Sequence, residues 1–428
     1  MNSQAKNLIN FINASPSAYH SIDSVLSMLD GFERLDASHR FEIEAGGKYV
    51  VTRGNSSLIA FTVPKDITEI SFSIAAAHVD SPALKLKPVC DVDSFGGVKR
   101  VAIEKYGGVN LSSWYDRTLT VAGRICVEEE RKIVSKNVYV DKDLMIIPSV
   151  PAHLGAIEKP SLAVDFLPLY AEAGEKNIMD VIAEAAGVDA KDILSHDLFA
   201  VPRETGRIFG ASGEFFASPR IDDLQCVFAL TAALAEAKPS GISVLALFDN
   251  EETGSSSRQG AFSSFLPEVL ERIVVSLGGD RGDYQAALAR SFMVSADNAH
   301  AKHPAHPELF DTLNAPVMNG GIVIKTNASQ RYTTDAVSCA VVKKLCEKAD
   351  VPYQSYANRA DITGGSTLGN IALHQLPVCC ADIGLAQLSM HSICESAGAY
   401  DTDYLIKFAK ALFESKFTAV NDSGYEIR

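Results

Sequence analysis

Leu247-Phe248-Asp249-Asn250-Glu251-Glu252-Thr253-Gly254-Ser255 is the stretch on which the reading of the whole chain turns. It completes residues 242–247, an apolar run with no turn residue inside it. Such a run reads as a strand buried on both faces, the kind found inside a parallel sheet. Four acidic or amide side chains then arrive together, ahead of Gly254. In open α/β sheets, ligands bind in the crevice beyond the carboxyl ends of the strands. Two adjacent glutamates there repel each other unless a cation lies between them or one keeps its proton. A metal ion beside a catalytic carboxylate resolves that conflict. A solvated acidic turn is the plainer alternative, and the rest of the chain decides between the two.

Working outward, other apolar runs also end in candidate ligands. Residues 71–77 deliver His78 and Asp80, residues 292–295 lead to Asp297, and His391 follows the run 377–383 by a few residues. Asp222 and Asp223 stand at the head of an alanine- and leucine-rich helical segment, residues 224–237, closed by Lys238-Pro239. The positive end of the helix dipole suits carboxylates there. If the sheet is parallel, these strand ends lie along one edge. Histidine nitrogen with carboxylate oxygen is the ligand set of zinc, or less selectively of manganese or cobalt. The excess of carboxylates suits two metals ~3.5–4 Å apart that share a bridging carboxylate. Singly, each residue has a blander reading: a structural histidine, an N-cap aspartate, a turn at Asp297-Asn298. Jointly, their fall at strand ends favours a metal site.

The surrounding texture predicts an α/β fold. Its catalytic domain has a mostly parallel central sheet flanked by helices and is interrupted by a smaller, inserted β-rich domain. Helices are predicted over residues 5–13, 21–29, 265–275, 334–349 and 400–413, and a hairpin turns at Arg53-Gly54-Asn55-Ser56. After Pro88 the pattern changes to short β-like runs (101–104, 119–126, 132–140) with one helical segment at 178–186. The α/β pattern returns at Ser218. The expected division is 1–88 and 218–428 for the catalytic domain and 89–217 for the insert, which would serve as an oligomerisation or lid domain.

Composition narrows the function classes. The chain has 428 residues, 47% hydrophobic and 21% charged, an ordinary globular balance. A net charge of −14 argues against nucleic acid or an anionic membrane surface as partner. It also means that an anionic substrate needs a local cationic anchor. Eight cysteines without CxxC spacing read as reduced thiols of a cytoplasmic protein. Residues 1–17 lack the pattern of a signal peptide, and no apolar run reaches the ~20 residues of a membrane span.

The segments Ala77-His78-Val79-Asp80-Ser81-Pro82, Pro219-Arg220-Ile221-Asp222, Asp249-Asn250-Glu251-Glu252, Ser295-Ala296-Asp297-Asn298-Ala299-His300 and Met390-His391-Ser392 occur in that order. Together they resemble the aspartyl aminopeptidases, a family of di-zinc exopeptidases. The likeness extends through Tyr106-Gly107-Gly108, Trp114-Tyr115-Asp116-Arg117 and Lys325 to Gln330-Arg331-Tyr332, and so spans nearly the whole chain. Asp223 departs from it, standing where the family commonly has asparagine, so that either aspartate is open as the bridge. Thr253 replaces a usual aliphatic residue.

The resemblance implies a role for each matched position. His78 and Asp297 would hold one zinc, Glu252 and His391 the other, with Asp222 bridging. Asp80 would orient His78 by taking its other ring N–H, and Glu251 would be the general base. Lys325 would sit in the pocket for an acidic N-terminal side chain, with Tyr332 and His300 also at the substrate; apart from the resemblance, the glycine-rich loop Gly364-Gly365-Ser366-Thr367 makes Gly365 a further substrate-binding candidate through backbone donors. His153 would reach a neighbouring subunit's active site within a homo-oligomer, typically a dodecamer. The implied activity is removal of N-terminal Asp or Glu from peptides. A related di-metal carboxypeptidase or N-acyl amino acid deacylase is the first rival, and a non-enzymatic assembly protein that keeps the fold is the second.

Overall fold

The mostly apolar runs Ser57–Thr62, Phe72–His78, Ile242–Phe248 and Phe292–Ala296 form strands buried along their whole length. They sit in the middle of a computed structural model that describes residues 3–155, 160–421 and 424–428. Alternate side chains leave a strand on opposite faces, and here both faces are covered. Ala75, Ala77, Leu245 and Leu247 pack with helices Ile221–Glu236, Ala336–Ala349 and Asp401–Phe413. Ile74, Ala76, Val244 and Phe248 pack on the other side with Phe265–Ser276 and Arg281–Ala289. Each large side chain so buried contributes about 1.5–3 kcal/mol.

Nine strands make up this sheet, in the order Glu33–Arg34, Lys48–Arg53, Ser57–Thr62, Ile242–Phe248, Phe72–His78, Phe292–Ala296, Cys379–Gly384, Ile322–Thr326, Tyr353–Ala357. The sheet is mixed, with five parallel and three antiparallel neighbouring pairs among the described residues. Ile242–Phe248, Phe72–His78, Phe292–Ala296 and Cys379–Gly384 run parallel, whereas antiparallel pairs flank them on both sides. One cause is local: the turn after Arg53 is too short for the crossover a parallel neighbour requires. The strand Tyr353–Ala357 and the helix Arg281–Ala289 had no sequence expectation. The helix is entered through an Asp280/Asp283 capping box.

The β-rich segment forms a second, wholly antiparallel sheet of seven strands, from Ala83–Ser94 to Ile193–Pro202. Pairing of Ile193–Pro202 with both Ala83–Ser94 and Thr118–Glu129 closes it into a barrel around Leu84, Val101, Val121, Ile125 and Leu198. Gly123 permits the closure. A Cβ there would lie 2.1 Å from the carbonyl oxygen of Asp197, so only glycine allows the two strands this approach. The predicted helix at 178–186 is Ile178–Ala186.

A third sheet, with no counterpart in the sequence expectations, positions the site. Its order is Arg207–Phe209, Phe215–Ser218, Glu395–Gly398, Ala386–Leu388, Ala299–His300. Two pairs of segments pass from the central sheet into it: Phe292–Ala296 continues to Ala299–His300, and Cys379–Gly384 to Ala386–Leu388. Among the described residues no helix is long and apolar enough to cross a membrane.

Candidate metal centre

The carboxyl ends of the parallel strands open on one edge of the central sheet. His78 closes one strand there, Asp249 to Glu252 follow another, and Asp297 follows a third. The third sheet faces this edge. Asp222 lies just past the strand Phe215–Ser218, and His391 occupies the loop between Ala386–Leu388 and Glu395–Gly398.

The geometry gathers these residues into two triads that share Asp222: His78, Asp222 and Asp297, and Asp222, Glu252 and His391. In each triad the ligating atoms lie within 4.8 Å of one another. His78 Nε2 is 3.2 Å from Asp222 Oδ1 and 3.9 Å from Asp297 Oδ1. His391 Nε2 is 3.4 Å from Asp222 Oδ2 and 3.3 Å from Glu252 Oε1. Asp222 therefore presents one oxygen to each histidine. Asp223 instead has one oxygen, Oδ2, accepting from the His78 backbone N–H at 3.2 Å. A further triad, His78, Glu251 and Glu252, satisfies the same distance condition.

Both imidazoles are oriented from behind. His78 Nδ1 donates to the backbone carbonyl of Asp80 at 3.0 Å, and His391 Nδ1 to that of Gly108 at 3.1 Å. Each Nε2 is thereby aimed at the carboxylates, where a bound cation would take the place of its proton. Asp80 thus takes the His78 proton through its carbonyl, while its carboxylate lies 3.5 Å from Nδ1 and is occupied elsewhere. That carboxylate accepts from the amides of Glu251 and Glu252, both at 3.1 Å, and from Tyr106 Oη at 2.7 Å. Its effect is to fix the Glu251-Glu252 backbone. At Gly108 a Cβ would lie 2.9 Å from His391 Nδ1, so the close approach of backbone to ring requires glycine.

The electrostatics suit cations. Asp223 Oδ1 is a buried oxygen without a hydrogen bond among the described residues, a condition that costs about 1–3 kcal/mol or more for a charged group, while Asp222 Oδ1 and Glu252 Oε1 face His78 and His391 Nε2. Burial disfavours the imidazolium of His391, yet Asp222 and Glu252 outweigh it and push the pKa up to about 11. His78 is raised in the same way, burial being overcome by Asp222 and Asp80. Burial, reinforced by Asp222, pushes Glu252 up to about 7. Glu251 is raised well above the carboxylate range by burial and by Asp297, Glu252 and Asp80. Carboxylates in this excess, with two imidazoles aimed at them, fit divalent cations, and the nitrogen–oxygen donor set is that of zinc.

Around the cluster, Lys325 is 2% exposed. Its Nζ is 3.5 Å from Asp297 Oδ2 and donates to the Asn298 carbonyl at 2.9 Å. Burial opposes the charge of Lys325, but Asp297 holds the ammonium protonated. Tyr332 is buried with its ring centre 5.4 Å from that ammonium. His300 is exposed on the strand that follows Asp297. Gly365 lies on an exposed loop before the helix Leu368–Ala372, with open space around it. His153 is exposed on the turn Ala152–Leu154 of the β-rich segment; among the described residues nothing hydrogen-bonds it to the cluster. Sequence reasoning missed Glu395, which is 2% exposed and accepts from the backbone N–H of both Asp222 and His391. Its signal was a lone carboxylate among small and apolar residues four positions after His391.

An α/β protein with two histidine–carboxylate triads on one sheet edge belongs to the class of metallohydrolases. Residues 11–413 match the aminopeptidase I zinc metalloprotease (M18) family. The chain is 41% identical over 424 residues to a probable M18 family aminopeptidase 2 of Clostridium novyi (strain NT), covering 96% of this chain and 98% of that one. It is 36% identical over 449 residues to aspartyl aminopeptidase 1 of Schizosaccharomyces pombe (strain 972), covering 96% and 94%. Among solved structures, the S. cerevisiae mApe1 dodecamer superposes with a TM-score of 0.85 at 28% identity, over 96% of each chain. The protein belongs to the M18 family of zinc metallo-aminopeptidases.

Proposed function

We propose that this aminopeptidase removes N-terminal residues, preferentially Asp and Glu, from peptides. The observation that carries the reading is the pair of triads meeting at Asp222 with the buried Lys325 ammonium beside them. In this reading two zinc ions, replaceable by manganese or cobalt, are held by His78 and Asp297 and by Glu252 and His391, with Asp222 shared. When bound, zinc polarises the scissile carbonyl and lowers the pKa of a water from about 15.7 to about 7.

The chain's own residues do the rest. Glu251 accepts a proton from the attacking water and returns it to the leaving amine. Asp80 holds Glu251 and Glu252 in place through their amides. Lys325 attracts an acidic substrate side chain, and an apolar one forgoes that attraction while the ammonium stays beside Asp297. Tyr332, His300 and Gly365 line the substrate's path. The name of the S. pombe relative supports the acidic preference.

The dodecameric neighbour supports homo-oligomeric assembly, proposed as a dodecamer in which His153 serves an adjacent subunit. The proposed domain division is 1–88 with 218–428, and 89–217 for the insert; separate sheets in the two parts support it. The place of action is the cytoplasm. The test is hydrolysis of Asp-, Glu- and Leu-aminoacyl amides, with chelator and then with zinc restored. Chelator-sensitive cleavage favouring Asp and Glu is expected. Metal-dependent cleavage favouring Leu overturns the acidic preference. Cleavage of N-acylated substrates alone establishes a deacylase instead.

A further inference from the structure

We infer that Glu395 is a positioning residue that sets the second metal triad, through a buried polar chain that reaches the segments bearing Asp222, His391 and Asp297. The inference rests on the two-metal reading above. Glu395 begins the strand Glu395–Gly398, which pairs on one side with Phe215–Ser218, the strand leading to Asp222. On its other side lies Ala386–Leu388, and the connecting loop carries His391. One carboxylate is therefore placed where both segments converge.

Both of its oxygens are used. Oε2 accepts from the Asp222 amide at 3.0 Å, and Oε1 accepts from the His391 amide at 2.7 Å and from Gln387 Nε2 at 3.3 Å. Gln387 in turn accepts from Asn298 Nδ2 at 2.6 Å. Asn298 adjoins Asp297 and is held further by Gln225 at 3.1 Å. Glu395, Gln387, Asn298 and Gln225 are all at most 2% exposed, so no water substitutes freely for these bonds.

The consequence is unequal for the two metals. Of the triad Asp222, Glu252 and His391, two members have their backbones tied to Glu395; of His78, Asp222 and Asp297, only one does. Glutamine at 395 keeps the volume but turns an N–H₂ group toward a backbone N–H, so one of the two amides loses its acceptor. Groups that orient ligands in this way are worth about 10–100-fold in metal affinity.

The test is stepwise zinc binding to the chelator-stripped full chain, measured by competition with a chromophoric chelator. Wild type is expected to take two ions, and Glu395→Gln to lose about 10–100-fold at one step while keeping the other. A general loosening of the fold would weaken both steps together and lower the melting temperature of the stripped protein. If Glu395→Gln does not fold, Gln387→Met removes one of the three donors and should produce the same selective loss by a smaller factor. Unchanged affinities, or equal loss at both steps, overturn the inference. A wild-type chain that binds fewer than two ions refutes the two-metal reading and this role with it.

Discussion

Glu251→Gln separates the general base from the ligands. The glutamine keeps the shape of the side chain, and the backbone N–H that Glu251 donates to Asp80 at 3.1 Å is untouched, so local structure is preserved. What disappears is the capacity to take a proton. Burial, with Asp297, Glu252 and Asp80 nearby, raises the Glu251 pKa well above the carboxylate range, so this carboxylate is a stronger base than a solvated one. Loss of general acid–base assistance removes about 10²–10⁴-fold in rate, or about 3–5.5 kcal/mol of transition-state stabilisation. The assay is kcat on an Asp-aminoacyl amide together with zinc content by elemental analysis. Turnover should fall by that factor with both ions retained. Near-normal turnover refutes the base assignment. Loss of one ion refutes it differently, by showing that the triad His78, Glu251 and Glu252 is a real ligand set.

Lys325→Met should reduce kcat/KM for the Asp substrate by about 10²-fold or more relative to the Leu substrate, because a buried charge loses its partner. An unchanged Asp/Leu ratio excludes the proposed pocket. A stability prediction arises away from the metals, at His20, whose Nδ1 is 2.8 Å from Ser17 Oγ. Burial lowers its pKa from 6.5 to about 4, with Asp23 opposing and Arg220 reinforcing the shift. Below pH 6.5 the unfolded chain therefore binds a proton that the folded chain refuses, and stability is lost as pH falls toward 4. At about 1.4 kcal/mol per unit, wild type should lose about 3 kcal/mol more than His20→Leu between pH 7 and 4 in urea unfolding. Parallel pH profiles for the two proteins would remove His20 from the account.

The parts of the protein legible in sequence are those encoded locally. Apolar runs such as Phe72–His78 and Ile242–Phe248 announce buried strands, and the polar residues after them announce the edge where the ligands gather. The helix Ile178–Ala186 was equally legible from its own pattern. Barrel closure was not, because Thr118–Glu129 meets Ile193–Pro202 through a pairing far apart in sequence. Nor was the third sheet, since strands as short as Ala299–His300 carry no periodicity. Asp80 shows how fine the remaining uncertainty was: its identity pointed to His78, but the backbone conformation gave that contact to the carbonyl and left the carboxylate for the Glu251 and Glu252 amides.

The third sheet is what turns a row of strand ends into a site. Strand ends of a single sheet point the same way and repel when they are all carboxylates. Here the central sheet supplies His78, Glu252 and Asp297, and the third sheet brings Asp222 and His391 against them. Each triad therefore draws ligands from both sheets, and Asp222 belongs to both triads. The two segments that run from one sheet into the other pair in parallel in each, so they fix the distance across the seam. Glu395 and Asn298 hold the loops on either side of it. The spacing of the ligands is thus inherited from sheet geometry rather than from any one loop. That is why five short motifs scattered over the chain converge on one cluster.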